Sequence, residues 1–245
     1  PWRRDTRPYY ILVSELMLQQ TQVARVVPKF EQFIARFPDE ETLASASLAD
    51  VLVPWQGLGY NRRARFLWQA AQMVVQDYNG QFPHDMQGLL RLPGVGNNTA
   101  GAIMAYAYNQ PSIFIETNVR TVYIHHFFAD TETVTDAEIT EKLIATLDHE
   151  HPREFYWALM DYGAHLKSQG IKTNGRSKHY KKQSKLEGSV RQVRGRIVTL
   201  LTEHGSLTDE ELRHLLVADE RYRPALAGLV KDEIISVVND RIAIE

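Results

Sequence analysis

Leu92-Pro93-Gly94-Val95-Gly96 is followed at once by the helix-forming run Thr99-Ala100-Gly101-Ala102. Two glycines one residue apart make a tight turn, and a helix opens directly after it. The exposed backbone N–H groups of Gly94, Val95, Gly96, Asn97, Asn98 and Thr99, together with the helix N-terminus, suit an anionic oxygen. A dinucleotide-binding loop would need a strand before the first glycine and an acid about 20 residues later. Here a helical pattern precedes the turn and Thr99 stands at the third-glycine position. A DNA phosphate therefore fits better than a pyrophosphate, and a plain helix–turn–helix corner is the alternative without function.

Outward from this turn the chain reads as helix on both sides. Val23, Val26, Val27, Phe30, Phe33 and Ile34 recur at three- and four-residue spacing. Thr42-Leu43 opens a further amphipathic stretch, continued by 48–53. Phe66, Leu67, Ala70, Ala71, Val74 and Val75 share one face of 62–78. Segments 98–108, 118–128, 136–147 and 153–166 complete the set, and prolines punctuate it where helices should start or stop. Residues 167–188 carry three glycines and much of a basic cluster, and read as a linker or irregular basic loop. Beyond them, 190–201, the capping-box start Thr208…Glu211 and 221–230 predict three short helices. A hairpin of 234–238 and 241–244 around Asn239-Asp240 closes the chain. The expected fold is mainly α, with a helical domain over 1–166, the basic segment 167–188 and a winged-helix-like α/β domain over 189–245.

Composition narrows the chemistry. The 245 residues contain no cysteine, which excludes disulfides, thiolate metal sites and cysteine-held iron–sulfur clusters. The nine histidines show no HExxH spacing, so no metal site is expected. No signal peptide or 18-residue apolar run is present, so membrane attachment is not expected and a cytoplasmic, nucleoid-associated protein is. Opening at Pro1-Trp2 without an initiator Met suggests a trimmed N-terminus. The formal net charge is −2, yet residues 167–196 hold ten Lys or Arg against the single acid Glu187. Lys178, Lys181, Lys182 and Lys185 lie in this stretch, whose local positive field suits DNA; a solvated linker is the alternative.

Two acids interrupt apolar runs. Glu15 is the only acid from Tyr9 to Phe30, and Glu116 follows Ile113-Phe114-Ile115. Burial raises a carboxyl pKa toward the range useful for a general acid. One protonated and one ionised carboxyl are what cleavage of a glycosidic bond requires. The bland alternatives are a surface Glu15 and a Glu116 that complements a helix dipole. Gln19, Gln20 and Gln22 follow Glu15, with amides able to enter a duplex or meet a base edge.

Pro1-Trp2, Ser14 to Val23, Trp55-Gln56-Gly57-Leu58-Gly59-Tyr60, Leu92 to Ile103 and Met160-Asp161-Tyr162-Gly163-Ala164 occur in order. Together they resemble the helix-hairpin-helix (HhH-GPD) DNA glycosylases, and within them the adenine glycosylase (MutY) family, over roughly residues 1 to 166. The resemblance implies two helical subdomains with a DNA cleft between them. It implies Glu15 as the acid that protonates adenine, Gln20 and Tyr60 as wedges in the base stack, and 92–96 as a phosphate grip. Three departures stand out. The family's Asp is Glu116 here. The catalytic Lys of bifunctional relatives is Asn98, which rules out a Schiff-base lyase at that position. The first cluster-ligand position is Lys167, so the cluster itself is not expected. No cofactor is expected beyond room for a monovalent or divalent cation at the hairpin. The expected activity is that of a monofunctional base-excision glycosylase on double-stranded DNA, acting as a monomer and removing adenine from A:8-oxoG or A:G. A glycosylase for T:G, U:G or a damaged base, and a catalytically weak structure-specific DNA-binding protein, are the alternatives.

Overall fold

The computed structural model describes residues 1–180 and 185–245. Ten helices come first: α1 (Pro8–Leu18), α2 (Val23–Arg36), α3 (Glu40–Ser45), α4 (Leu48–Trp55), α5 (Arg62–Asp77), α6 (Met86–Leu89), α7 (Asn97–Tyr106), α8 (Thr117–Phe127), α9 (Asp136–Thr146) and α10 (Pro152–Ser168). They form two groups. Helices α2 to α5 pack on one another, α7, α8, α9 and α10 form the second set, and α1 touches both. That central place explains the composition of α1. Tyr9 and every residue from Ile11 to Met17 are buried, and a helix apolar all round belongs between layers.

Short helices are started by side-chain caps rather than by long periodic patterns. Asp39 accepts from the Thr42 N–H to open α3, and Ser47 accepts from the Asp50 N–H to open α4. A full capping box of Thr135 and Glu138 starts α9.

Residues 167–178, the first part of the expected basic linker, are more ordered than their glycines suggested. Helix α10 continues to Ser168, and a single 3-10 turn follows at Thr173–Arg176. Arg176 Nε donates to the Thr131 carbonyl at 2.8 Å. The Val134 N–H donates to Arg176 O at 2.8 Å and the Lys178 N–H to Val134 O at 3.0 Å. Residues 171–178 are thus strapped to the connection between α8 and α9 by backbone hydrogen bonds that local pattern cannot reveal. Lys181 and Lys182 lie outside the described residues.

The C-terminal part is a winged helix in outline: α11 (Val190–His204), β1 (Ser206–Thr208), α12 (Asp209–Leu216), α13 (Tyr222–Lys231), β2 (Ile235–Val238) and β3 (Arg241–Ile244). The Thr208–Glu211 box forms as its spacing requires, at 3.2 and 2.7 Å. Asn239 and Asp240 both adopt positive φ, 49° and 62°, the backbone of a two-residue hairpin turn. The sheet order is β1-β3-β2, all antiparallel. Strand β1 was not expected: three residues are too few to show an alternating pattern, and its pairing partner lies over thirty residues away.

This unit is docked on the helical part rather than hung from it. Gln56 Nε2 donates to Thr202 Oγ1 at 2.7 Å. Arg65 of α5 binds Glu233 and the Asp232 carbonyl, and Arg62 faces Asp232. Arg194 of α11 also binds Asp232. Helix α11 packs on α4.

Candidate active site

Glu15 lies in the middle of α1, 9% exposed. Glu116 is the N-cap residue of α8. The fold brings them together, and their carboxyl groups hydrogen-bond each other. Two carboxylates in contact cannot both stay ionised at low dielectric, so the pair holds a proton. Burial pushes Glu15 well above the usual carboxyl range, and the neighbouring Glu116 charge pushes it further. Burial also raises Glu116, but the Glu15 hydrogen bond, Arg120 and Lys167 all oppose that rise. The proton therefore belongs on Glu15 and the charge on Glu116. Tyr106 of α7 is buried beside both and stays a neutral phenol, its pKa raised by burial and by the two acids.

Asn98 has a role that sequence reading missed. Its Nδ2 donates to Ile115 O at 3.0 Å, and the Ile115 N–H donates to Oδ1 at 3.3 Å. This two-way clamp fixes the extended residues just ahead of Glu116. An amide can both donate and accept here, which a lysine ammonium could not.

The hairpin places its groups unequally. Leu92, Val95 and Thr99 are buried, while Gly96, Asn97 and Asn98 are exposed. Core packing thus holds the turn from within, and backbone faces outward. Gly94 has φ +78°, and a Cβ there would lie 2.7 Å from Phe66 Cβ, so the position needs glycine on both counts. The N-terminus of α7 has no side-chain cap, leaving its first N–H groups for an anion.

Gln20 and Tyr60 sit in left-handed backbone, φ 56° and 51°, uncommon for residues other than glycine. Arg63 holds both turns. Its Nη1 donates to the carbonyls of Leu16, Met17 and Gln19 at 2.7, 2.9 and 2.6 Å. Its Nη2 donates to Leu58 O at 3.3 Å and Gly59 O at 3.0 Å. Burial lowers its pKa to about 10, so it remains a cation at neutral pH. One guanidinium therefore ties the end of α1 to the turn before α5. Only the tertiary structure reveals this, because the carbonyls it binds carry no side-chain signature.

Two clefts of about 510 and 550 Å³ open beside these turns. Gln20, Tyr60, Asn61, Arg191 and Gly195 line both. Helix α11 of the C-terminal unit supplies one wall, and Arg191 binds the Tyr60 hydroxyl and covers its ring. Neither cleft is lined by Glu15 or Glu116. Lys178 and Lys185 are exposed. The described residues hold no group of three or more His, Asp or Glu arranged for a metal ion.

Residues 13–147 match the HhH-GPD superfamily, described as base excision DNA repair proteins. The chain is 37% identical over 165 residues to the adenine DNA glycosylase of Buchnera aphidicola subsp. Baizongia pistaciae, covering 67% of this chain and 47% of that protein. It is 35% identical to the adenine DNA glycosylase of Mycobacterium tuberculosis, covering all of this chain and 88% of that one. Among solved structures, a thermostable thymine-DNA glycosylase superposes with a TM-score of 0.62 at 25% identity, covering 74% of this chain and 87% of that one.

Proposed function

Because the chain belongs to the HhH-GPD superfamily of base excision DNA repair proteins, we propose that it is a monofunctional DNA glycosylase that hydrolyses the bond between adenine and deoxyribose in a mispair, A:8-oxoG or A:G. The observation that carries this reading is the Glu15–Glu116 carboxyl pair. The target base must first leave the stack, since no side chain reaches its glycosidic bond inside a duplex. Glu15 then gives its proton to a ring nitrogen of the flipped adenine. The C1′–N9 bond breaks and its electron pair leaves with the base. The ionised Glu116 stabilises the cationic sugar. It also orients a water that adds to C1′ and takes up that water's proton.

The hairpin at 92–96 and the start of α7 would hold a phosphate, and Gln20 and Tyr60 would fill the gap in the stack. Adenine is a normal base, so selective removal depends on reading its partner. The clefts between Tyr60 and α11 are lined by Arg191 and several amides, which suit a base edge with paired acceptors such as guanine O6 and N7. A monomer is sufficient for this chemistry. With no thiolates in the sequence, purified protein should be colourless and free of stoichiometric iron; absorbance near 400 nm would contradict that.

Single-turnover assays on duplexes carrying A:8-oxoG, A:G, T:G, U:G and common damaged bases test the reading. Release of adenine is expected. Release of thymine or uracil alone would reassign the substrate, and tight binding with no excision would leave a DNA-binding protein.

A further inference from the structure

Lys167 stands near the C-terminal end of α10, and its Nζ donates to Asn118 Oδ1 at 2.6 Å. Asn118 is in the first turn of α8, two residues after Glu116. Backbone packing makes this contact. A Cβ on Gly163 would lie 2.7 Å from the Asn118 carbonyl oxygen and 2.8 Å from its Cβ. Only glycine lets α10 cross α8 so closely, one helical turn before Lys167. Lys167 is an exposed residue, and its ammonium is anchored on the Asn118 side chain, two residues from Glu116 in sequence.

The charged and titratable groups near Glu116 are Glu15 from α1, Tyr106 from α7, Arg120 from α8 itself and Lys167 from α10. Tyr106 stays neutral. Arg120 is held by Asp136 through two hydrogen bonds of 2.8 and 2.7 Å, so most of its charge is already compensated. Among the described ion pairs, Lys167 is bound to no carboxylate. Arg120 acts on Glu116 more strongly than Lys167 does, but Lys167 is the cation that a second helix brings to it.

We infer that Lys167 is a positioning residue for the reaction: tied to Asn118, it holds a positive charge at the first turn of α8 that adds to Arg120 in keeping Glu116 the charged member of the acid pair. This rests on reading Glu116 as the carboxylate that meets the cationic sugar. The proposed reaction needs the single proton on Glu15, and two touching carboxyls in one buried site offer it two homes. Whatever else faces each carboxyl decides between them, and Lys167 attracts the charged form of Glu116. The same position is where the resemblance places the first cluster ligand. A chain without cysteine has a cation there that binds the first turn of α8.

The test uses the full chain with Lys167→Met and Lys167→Arg, and Glu116→Gln for assignment. Single-turnover adenine excision is measured from pH 5 to 9, and the side-chain carboxyls of the same proteins, 13C-labelled at glutamate, are titrated by NMR. With the cation removed, Glu116 should hold its proton to higher pH. In Lys167→Met the acidic limb of the rate profile and the Glu116 titration should therefore both move up, by roughly half a unit to one unit given solvent screening. Lys167→Arg should restore both. The inference is overturned by a Glu116 titration that stays in place. It is also overturned by a pH-independent rate loss that Lys167→Arg does not rescue, or by a change confined to the salt dependence of DNA binding. A wild type that excises nothing while its Glu116 titration still moves with Lys167 would fail the glycosylase reading and leave the electrostatic coupling intact.

Discussion

The Glu15 carboxyl, in the middle of α1, hydrogen-bonds the Glu116 carboxyl at the N-cap of α8. Glu15→Gln keeps the size and the hydrogen bond but has no proton to give. It should bind substrate DNA normally and excise at least about a hundredfold more slowly. Its stability should move the other way. Burial and Glu116 raise Glu15 above its ordinary value of 4.5, so across that window the folded state keeps a proton that the unfolded chain releases. The resulting stabilisation is complete below 4.5 and is lost as pH rises through the folded value. Thermal melts should show Glu15→Gln gaining on the wild type as pH rises from 4 to 8. Full activity in Glu15→Gln would remove the acid assignment.

Glu116 is one methylene longer than the Asp that the resemblance places there. Glu116→Gln should be strongly impaired, since a neutral amide cannot stabilise a cationic sugar. Glu116→Asp should keep or raise the single-turnover rate. A collapse of activity in Glu116→Asp, equal to that of Glu116→Gln, would mean the surrounding backbone is built for the longer side chain.

The α11 wall predicts a change in selectivity rather than in rate. Gly195 lines both clefts, and a Cβ built there meets nothing within 4 Å. Glycine inside a helix costs about 1 kcal/mol against alanine, so Gly195→Ala should stabilise the protein and leave excision alone. Gly195→Leu or Arg191→Ala should reduce the preference for adenine opposite guanine-type bases over adenine opposite cytosine by about tenfold. Unchanged ratios across that duplex panel would remove the clefts from base reading.

Exposed Lys178 and Lys185 flank the undescribed Lys181 and Lys182. Each phosphate contact adds about 0.9 to the log–log slope of DNA affinity against salt. Replacing all four lysines by alanine should flatten that slope by up to about 3 to 4. An unaltered slope would make the segment a strap between helices and nothing more.

Arg63 anchors the turns that carry Gln20 and Tyr60 through five backbone carbonyls. Lysine offers a point charge and not a fork, so Arg63→Lys should not substitute. Arg63→Met should cost about 3 kcal/mol or more by leaving those carbonyls unmet. Denaturant melts measure the loss, and DNA footprinting should show a displaced wedge. A stable Arg63→Met variant with normal binding would contradict this account.

The local code of the chain determined most of its helices and the C-terminal hairpin, but not strand β1. Apolar residues three and four apart, caps such as Thr208 with Glu211, and the Asn239-Asp240 turn each act within a few residues, so helices and hairpin were legible. The apolar runs around Glu15 and Glu116 marked them as two isolated acids suited to glycosidic-bond cleavage, and the resemblance assigned Glu15 the role of acid. Tertiary structure alone decided what those acids are to each other. Their shared proton, the Asn98 clamp on Ile115, the Arg63 fork and the reach of Lys167 to Asn118 all join residues distant in sequence. Such contacts depend on how helices cross, and Gly163 shows the reason: a single missing Cβ sets the approach of α10 to α8, and no local periodicity encodes that distance.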